Sequence, residues 1–399
     1  MTMKKSCMFF LLLLLVNVAE AQQKVYLTLV THNEEGDFFC TNQNAYRANR
    51  IWVKYLVDSL TSKGVSWSFQ SDWRYLTALT NPVFETAMVM SQTNNKNILK
   101  WAQEDKGLEI TPHAHESVYN YADVYHLHFE AGVVPDSIAG GHLYNASQGF
   151  GSWMELKAGI FGVQFPAQFF KPDILWGAGT PGHVSDPLIH GCWHPLDTLD
   201  FLAEDSNSSL SVVGQGCRLV VDTAYSISEM MDVIRGVVET MQAGGFPSDM
   251  IISQEIFMSQ SKMDSLRARH LISFIDSVNL SFVNTGLAEW KSIREIKTIW
   301  QNQFSEEPVK QACGDFMISG KWPPAGTFSV FPNPFSDQLY IDTPETVDLT
   351  LLSIEGKVLF HDHISAGTTV LSLGFLAKGI YIFRVQNRNS VESIKVLRD

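Results

Sequence analysis

The sequence predicts an α/β fold, a (β/α) barrel, followed by a small all-β sandwich. From residue 24 to residue 295, short apolar strands alternate with amphipathic helices, which implies parallel strands joined by right-handed crossovers. From Thr327 onward helical periodicity is absent and short strands are separated by turns, as in a sandwich of roughly seven strands. The 399 residues therefore divide into a barrel domain, 22–322, and a sandwich domain, 323–399.

The predicted elements of the barrel domain follow from periodicity and from turn residues. The predicted strands are 24–31, 65–70, 108–111, 138–143, 250–253 and 280–283. The predicted helices are 45–62, 97–106, 123–132, 226–242 and 262–277. The stretch 150–194 is loop-rich, aromatic and glycine-rich, which favours the walls of a binding cleft. A closed or nearly closed barrel carries its site at the C-terminal ends of its strands.

The first 21 residues have the parts of a secretory signal peptide. Lys4 and Lys5 supply the positive end, residues 9–16 form the apolar core, and residues 19–21 fit a small-residue cleavage site. The apolar core is too short to span a bilayer, and no later segment is long enough either. We therefore expect an exported mature protein without a transmembrane segment.

Composition excludes two classes of partner. A hydrophobic content of 45% and a charged content of 18% describe an ordinary globular protein. The formal net charge of -13 argues against nucleic acid or an anionic membrane surface as partner, because phosphate binding depends on clustered Lys and Arg.

Four cysteines remain once the signal peptide is removed: Cys40, Cys192, Cys217 and Cys313. In an exported protein they permit two disulfides in three possible pairings. Cys192 with Cys217 is the most local pairing and the preferred one. A zinc site that includes cysteine is the alternative, although no Cys-x-x-Cys spacing is present.

Histidines and carboxylates follow two of the predicted strands. His113 and His115 come directly after the strand 108–111, and the first strand leads into His32, Glu34 and Glu35. Neutral imidazoles with a carboxylate and open positions for water are what a divalent metal needs in a hydrolase. Because alternate side chains of a strand share a face, His32 together with Glu34 is geometrically as plausible at a metal site as Glu35. The structural alternative is a polar loop whose histidines form local hydrogen bonds, with Glu34 and Glu35 as solvated carboxylates.

Glu255 follows another predicted strand, 250–253. It is a candidate general acid, and the alternative is a surface carboxylate. Four tryptophans are candidates for stacking on sugar rings, with burial in the core as their alternative. They are Trp153, Trp176, Trp193 and Trp290.

Four motifs near the C-terminus resemble the sorting domain of the type IX secretion system of Gram-negative Bacteroidetes. They are Phe-Pro-Asn-Pro-Phe at 331–335, Leu-Ser-Ile-Glu-Gly-Lys-Val at 352–358, Leu-Ala-Lys-Gly-Ile-Tyr-Ile at 376–382 and Ser-Ile-Lys-Val-Leu at 393–397. The resemblance implies an export address read by the type IX secretion machinery. It implies a protein that crosses the periplasm and outer membrane and is secreted or held at the cell surface.

The barrel domain is similar, more loosely, to the polysaccharide deacetylase (NodB-homology) family. That family has an Asp-Asp-Gly after the first strand, where this chain has Glu34, Glu35 and glycine, and a Gly-x-Glu-Ile motif, which residues 107–110 match ahead of His113. Two further departures are that His115 follows His113 by two positions instead of four, and that Ile-Ser-Gln-Glu at 252–255 replaces a Leu-His motif.

The resemblance implies a role for each residue that matches. Glu35, His113 and His115 would hold a divalent metal, with zinc as the expected ion, and Glu34 would take a proton from water. The expected function is that of an exported metal-dependent hydrolase acting on carbohydrate, a polysaccharide deacetylase-like esterase or amidase. Two alternatives stay open: a two-carboxylate glycosidase using Glu34 or Glu35 with Glu255, and a glycan-binding surface protein whose catalytic set is degenerate.

Overall fold

The computed structural model describes most of the chain in two compact units. One unit comprises residues 1–221 and 227–316, and the other 222–226 and 317–399. The described residues are 23–33, 38–114, 118–144, 152–181, 188–259, 264–313, 329–331, 335, 338–343, 346–353, 357–365, 367–386 and 391–398. Among them, no helix combines the length and the apolar character needed to cross a membrane.

Helices and strands alternate in the N-terminal unit. Its helices are α1 (Phe38–Thr41), α2 (Gln43–Thr61), α3 (Trp73–Thr80), α4 (Ala87–Met90), α5 (Ile98–Lys106), α6 (Tyr121–Glu130), α7 (Met154–Ala158), α8 (Ile227–Gln242), α9 (Ser265–Val278) and α10 (Ile293–Gln303). Its strands are β1 (Val25–Asn33), β2 (Trp67–Ser71), β3 (Glu109–Pro112), β4 (Ile138–Tyr144), β5 (Ile160–Phe161), β6 (Phe169–Phe170), β7 (Ile174–Pro181), β8 (Ile189–Trp193), β9 (Ser211–Val213), β10 (Ile252–Ser259), β11 (Ala288–Trp290) and β12 (Lys310–Ala312).

The first sheet is parallel and is built around β1. Its order is β10-β1-β2-β3, and β11 pairs with the first residues of β1. Every residue of β1 is buried except His32, which is half-buried. Burial on both faces explains why this strand is a nearly continuous apolar run in the sequence.

The second sheet has the order β12-β8-β9-β7-β4 and mixes parallel and antiparallel pairs. One isolated parallel bridge, His113 with Gly140 of β4, links it to the first sheet. Ser253 of β10 also accepts hydrogen bonds from His190 and Gly191 of β8. The predicted arrangement of parallel strands and crossover helices is therefore present, as two five-stranded sheets that are linked from His113, just after β3, to β4 and from β10 to β8.

Local signals account for the helix ends. The side chain of Asn42 accepts a hydrogen bond from the backbone nitrogen of Ala45 and caps α2. Gly107 ends α5 in the left-handed region at φ 74°, where a residue without a Cβ is favoured. The predicted helices at 45–62 and 97–106 thus lie close to where α2 and α5 form.

Two predictions about local structure are wrong, and one predicted strand forms with different bounds. Residues 280–283 lie in a π-helical turn, Asn279–Val283, and the strand forms later, at β11. The stretch predicted as loop-rich, 150–194, contains the strands β7 and β8, and the residues of β8 are all buried. The strand predicted at 250–253 runs from Ile252 to Ser259, since pairing with β1 extends it.

The predicted pairing of Cys192 with Cys217 is also wrong. Cys217 forms a disulfide with Cys313, whose Cα lies 5.2 Å away, and Cys40 and Cys192 are not disulfide-bonded. The β12–β8 pairing brings Cys313 to the start of β8, where its backbone nitrogen donates to the carbonyl of Leu188. Cys192 is fully buried further along β8 within an apolar cluster.

The C-terminal unit is an antiparallel sandwich, as predicted. Its sheets have the orders β13-β14-β17 and β16-β15-β18-β19, and side chains from both enclose one apolar core that includes Ile341, Leu351 and Phe383. The strands are β13 (Ser329–Phe331), β14 (Gln338–Thr343), β15 (Val347–Ser353), β16 (Val358–Ile364), β17 (Gly367–Ser372), β18 (Gly379–Gln386) and β19 (Val391–Arg398).

Candidate metal centre

Three parallel strands place polar residues at paired register positions, which we call one rung, near the C-terminal edge of the first sheet. The register pairs His32 of β1 with Gln70 of β2, and Gln70 with Thr111 of β3. Paired residues in neighbouring strands point to the same face of a sheet. The three side chains therefore share one face, just before their strands end.

His32 and His113 meet at this edge although 81 positions separate them in the sequence. The centroids of their imidazole rings lie 4.3 Å apart, with an angle of 38° between the ring planes. His113 comes directly after β3 and is fully buried. The fold thus brings together two of the predicted ligands, one from each of the two strands that the sequence singled out.

The orientation of His113 is determined by a backbone carbonyl. Nδ1 of His113 lies 2.8 Å from the carbonyl oxygen of Gly140. A carbonyl oxygen has no proton to donate, so Nδ1 carries the proton and Nε2 carries the lone pair. The hydroxyl of Tyr121 donates to the same oxygen at 2.7 Å. A histidine held through Nδ1 by a backbone carbonyl is oriented as metal-ligating histidines usually are.

Gly141 lets the backbone of β4 approach both imidazoles. Its φ is +60°, and a Cβ at this position would lie 2.3 Å from Cε1 of His113 and 2.8 Å from Cε1 of His32. Any side chain here would push the rings apart. The glycine is therefore required both by its backbone conformation and by the space that the histidines occupy.

Aromatic side chains surround His32. The ring centroid of Phe257 lies 4.7 Å away and that of Trp176 lies 5.4 Å away, both in edge-on contact. Trp176 is 3% exposed, so it forms a wall beside His32 and is not a platform on the surface. Trp153, Trp193 and Trp290 are also buried, which favours the core alternative for these residues.

Gln70 and Thr111 are functional candidates that sequence reasoning missed. Both are fully buried, and their side-chain polar atoms have no hydrogen-bond partner within the described part of the chain. A Cβ at Gly140 would lie 2.8 Å from Nε2 of Gln70 and 2.9 Å from Oγ1 of Thr111, so these two groups converge on one point. Buried polar groups are normally paired, and an orphaned pair beside two histidines therefore indicates a place for a ligand or water.

Asp72 is a second residue that the sequence did not single out. It follows β2 directly and caps α3, accepting hydrogen bonds from the backbone nitrogens of Arg74 and Tyr75. Only 4% of its surface is exposed. Burial raises the pKa of its carboxyl group to about 7, against the opposing effect of these donors and of the Arg74 guanidinium. A negative charge on Asp72 is therefore unfavourable in the folded protein.

Three of the predicted site residues lie outside the described residues. Glu34 and Glu35 fall within residues 34–37, and His115 falls within 115–117. The described residues stop at Asn33 before the first of these gaps and at Ala114 before the second. Glu34, Glu35 and His115 therefore remain predictions.

Glu255 lies away from the two histidines. It is the fourth of the eight residues of β10 and pairs with Thr28, whereas His32 pairs with Ser259. Four residues of extended strand separate the two positions, about 13 Å along the strand axis. Burial raises the pKa of the Glu255 carboxyl group well above its usual value, and Arg218 lowers it in part.

The described residues fit a divalent metal at the histidine pair. His113 has the tautomer of a metal ligand, Gly141 leaves room for two rings, and aromatic walls lower the local dielectric, which strengthens electrostatic interactions.

Comparison with solved structures of known proteins gives only weak similarities. A proposed polysaccharide deacetylase from Mycobacterium smegmatis is 11% identical and has a TM-score of 0.42; the alignment covers 71% of this chain and 92% of that one. A proposed glycoside hydrolase/deacetylase from Parabacteroides distasonis is 8% identical, with a TM-score of 0.45 and coverage of 87% of both chains. Likenesses at this level transfer no activity, which has to be inferred from the residues themselves.

A third solved structure aligns with a short part of this chain. PorZ of Porphyromonas gingivalis, a surface component of the type-IX secretion system, is 17% identical with a TM-score of 0.16; the alignment covers 18% of this chain and only 11% of PorZ. No sequence among the curated proteins matches this chain. Residues 329–398 match the family model described as the secretion system C-terminal sorting domain.

Proposed function

We propose that this chain is an exported metal-dependent hydrolase that acts on carbohydrate and removes an acyl group from it. The observation that carries this proposal is the contact between His32 and His113 at the C-terminal edge of the parallel sheet. In barrels of this type that edge is where active sites lie.

The metal would be held by His113 and His115 together with a group from the end of β1. That group is Glu35 or His32, and the 4.3 Å between the rings of His32 and His113 supports a direct role for His32. Imidazole and carboxylate ligands suit zinc. A divalent ion bound there would act as a Lewis acid and polarise the carbonyl oxygen of the acyl group.

The remaining residues position groups and move a proton. Glu34 accepts the proton from the attacking water at its carboxylate. Trp176 and Phe257 exclude bulk solvent from one side of the histidines. Gln70 and Thr111 place a carboxamide and a hydroxyl beside the histidines, where a water or ligand would pair groups that have no hydrogen-bond partner among the described residues.

Export supports a substrate outside the cell. The sorting domain at 329–398 is recognised by the type IX secretion machinery, which exports the protein to the cell surface or exterior. Polysaccharides of the surface or of the surroundings are reached there. Export and the proposed hydrolase site therefore both favour a carbohydrate polymer outside the cell as the substrate class.

Metal content tests the proposal directly. We expect about one tightly bound divalent ion for each full-length chain, and loss of this ion in the double variant His32→Ala/His113→Ala, measured by elemental analysis. His126→Ala is the matched control, because His126 pairs with Glu130 on the surface of α6. An unchanged metal content in the double variant would overturn the proposal.

Turnover separates the deacetylase from the glycosidase. We expect release of acyl groups from an acylated polysaccharide, abolished by Glu34→Gln while the metal is retained. Glu255→Gln should leave turnover in place, since Glu255 lies about 13 Å from His32 along the strands. If the wild-type protein cleaves the polysaccharide into shorter pieces and Glu255→Gln abolishes this cleavage, the protein is a glycosidase instead.

A further inference from the structure

A second group of metal-type ligands lies apart from the histidine pair. His190, Cys217 and Cys313 are all buried, and one ligand atom from each lies within 4.8 Å of the others. In this structure the two sulfurs form a disulfide. The cluster is otherwise arranged as a coordination site.

His190 has the orientation of a metal ligand. Its Nδ1 lies 2.7 Å from the carbonyl oxygen of Ser253, so Nδ1 carries the proton and the lone pair of Nε2 is directed elsewhere. Nε2 lies 3.5 Å from Sγ of Cys217. In a tetrahedral zinc site, bond lengths of about 2.3 Å to sulfur and 2.05 Å to nitrogen place these two atoms about 3.5 Å apart. The spacing already equals that of two zinc ligands.

The surroundings hold both residues in place. The backbone nitrogen of Cys217 donates to the side-chain carbonyl of Gln254 at 2.9 Å, and the carboxamide of Gln254 donates to the carbonyl of Cys217. Gly216 has φ +71°, and a Cβ there would lie 2.9 Å from Cε1 of His190.

We propose that His190, Cys217 and Cys313 form a zinc site when the two cysteines are reduced, and that oxidation to the disulfide releases the metal. Two thiolates neutralise one Zn²⁺, so the occupied site carries no net charge, which suits a buried position. With three protein ligands, one position remains for water.

The conversion balances with an external disulfide as the oxidant. Each thiolate gives up one electron, and the bond between the sulfurs of Cys217 and Cys313 forms. The external disulfide takes both electrons, together with two protons from the solvent, and becomes two thiols, while Zn²⁺ leaves with water in place of its protein ligands. When zinc binds to the reduced protein, the two cysteine thiols lose their protons to the solvent.

Cobalt binding tests the proposal, because Co²⁺ bound by thiolates has a strong charge-transfer absorption. The full-length chain is produced in a reducing cytoplasm and purified without oxygen. We expect this absorption when Co²⁺ is added beyond the one equivalent that the histidine pair would take up, and its loss when Zn²⁺ is added. The oxidised protein should not show it. His190→Gln, which can still form the disulfide and fold in the oxidised state, should bind at least about tenfold more weakly when reduced.

Two controls separate this site from the others. Cys40→Ser and His113→Ala should keep the absorption, because neither residue belongs to the cluster, and the histidine pair offers no thiolate. Adding an external disulfide should release one zinc for each protein disulfide formed. The proposal is wrong if the reduced wild-type protein lacks the absorption, if His190→Gln binds Co²⁺ as tightly as wild type, or if zinc stays bound after the disulfide closes.

Discussion

The carboxylate of Glu109 accepts a hydrogen bond from the backbone nitrogen of Arg294 at 2.8 Å, 185 positions further along the chain. It accepts a second from the backbone nitrogen of Ile293 and a third from the hydroxyl of Ser68. Glu109 thus satisfies two of the backbone donors at the N-terminus of α10. The glutamate of the Gly-x-Glu-Ile motif is a structural residue, at the opposite end of β3 from His113.

Replacing Glu109 by Ala should therefore destabilise the fold. We expect a loss of about 1–2 kcal/mol in the free energy of unfolding, because two helix N-terminal donors lose their acceptor. Urea unfolding followed by circular dichroism measures this, with Glu104→Ala on α5 as the control, since the Glu104 side chain is 44% exposed. Equal stability of the two variants would contradict the structural role.

Gly141→Ala should disrupt the histidine pair. Its Cβ would lie 2.3 Å from the ring of His113, so the ring has to move and metal affinity should fall at least about tenfold. Gly64→Ala is the matched control: Gly64 has φ +73° with nothing within 4 Å of its Cβ, and both variants bear a backbone penalty of about 1–2 kcal/mol. Equal metal affinities in both variants would show that the site tolerates a side chain at Gly141.

Asp72 should make stability depend on pH. Its pKa is about 7 in the folded protein and about 3.9 in the unfolded chain. The folded state favours the protonated carboxyl group, so this contribution is fully present below about pH 4 and is lost as the pH rises through about 7.

Asp72→Asn removes the titration and keeps an N-cap residue. Relative to this variant, the free energy of unfolding of wild type should fall by about 2–4 kcal/mol between pH 4 and pH 7, because one pKa unit corresponds to about 1.4 kcal/mol. Urea unfolding at several pH values measures the difference, in which all other carboxylates cancel. A difference that is constant with pH would mean that Asp72 is ionised throughout.

Glu85→Ala should be among the more damaging substitutions away from the candidate sites. Nε of Arg50 and the hydroxyl of Tyr46 both donate to Oε1 of Glu85 at 2.6 Å, and the side chains of Arg50 and Glu85 are only 2% and 3% exposed. Removing the carboxylate leaves a buried guanidinium without its counter-charge, which costs about 3–5 kcal/mol.

The control for Glu85 is Asp276→Ala. Asp276 pairs with Lys63 at the surface and its side chain is 53% exposed, so its loss should change stability by less than about 1 kcal/mol. Thermal or urea unfolding of both variants gives the comparison. A loss for Glu85→Ala as small as that for Asp276→Ala would mean that water reaches Arg50 and solvates it.

Strong periodic segments were predictable, and short apolar segments were not. The helix predicted at 226–242 forms at Ile227–Gln242. Over 16 residues its apolar positions repeat with the period of a helix, which a strand does not share. Residues 280–283 have the composition of a strand yet continue the helical path after α9 as a π-helical turn. Four residues are too few to distinguish the two conformations without their tertiary neighbours.

Residues of the candidate site could be singled out from the sequence where they carried a recognisable pattern. His32 and His113 stood out because each is a potential ligand beside a strand end. Gln70 and Thr111 carried no such signal, since a polar residue in a strand is ordinary until its burial and the absence of a described partner are known. Cys217 likewise had three possible partners, and only the pairing of β12 with β8 selected Cys313.

The amino-acid sequence alone determined the alternation of strands and helices, the export address and the presence of imidazoles next to strand ends, because periodicity and motifs are local properties. The tertiary structure decided which of these groups meet. Parallel register places His32, Gln70 and Thr111 on one rung and puts Glu255 four residues away from it. Register is a relation between distant segments and is set by the packing of the whole sheet. It therefore cannot be derived from the local patterns of one sequence.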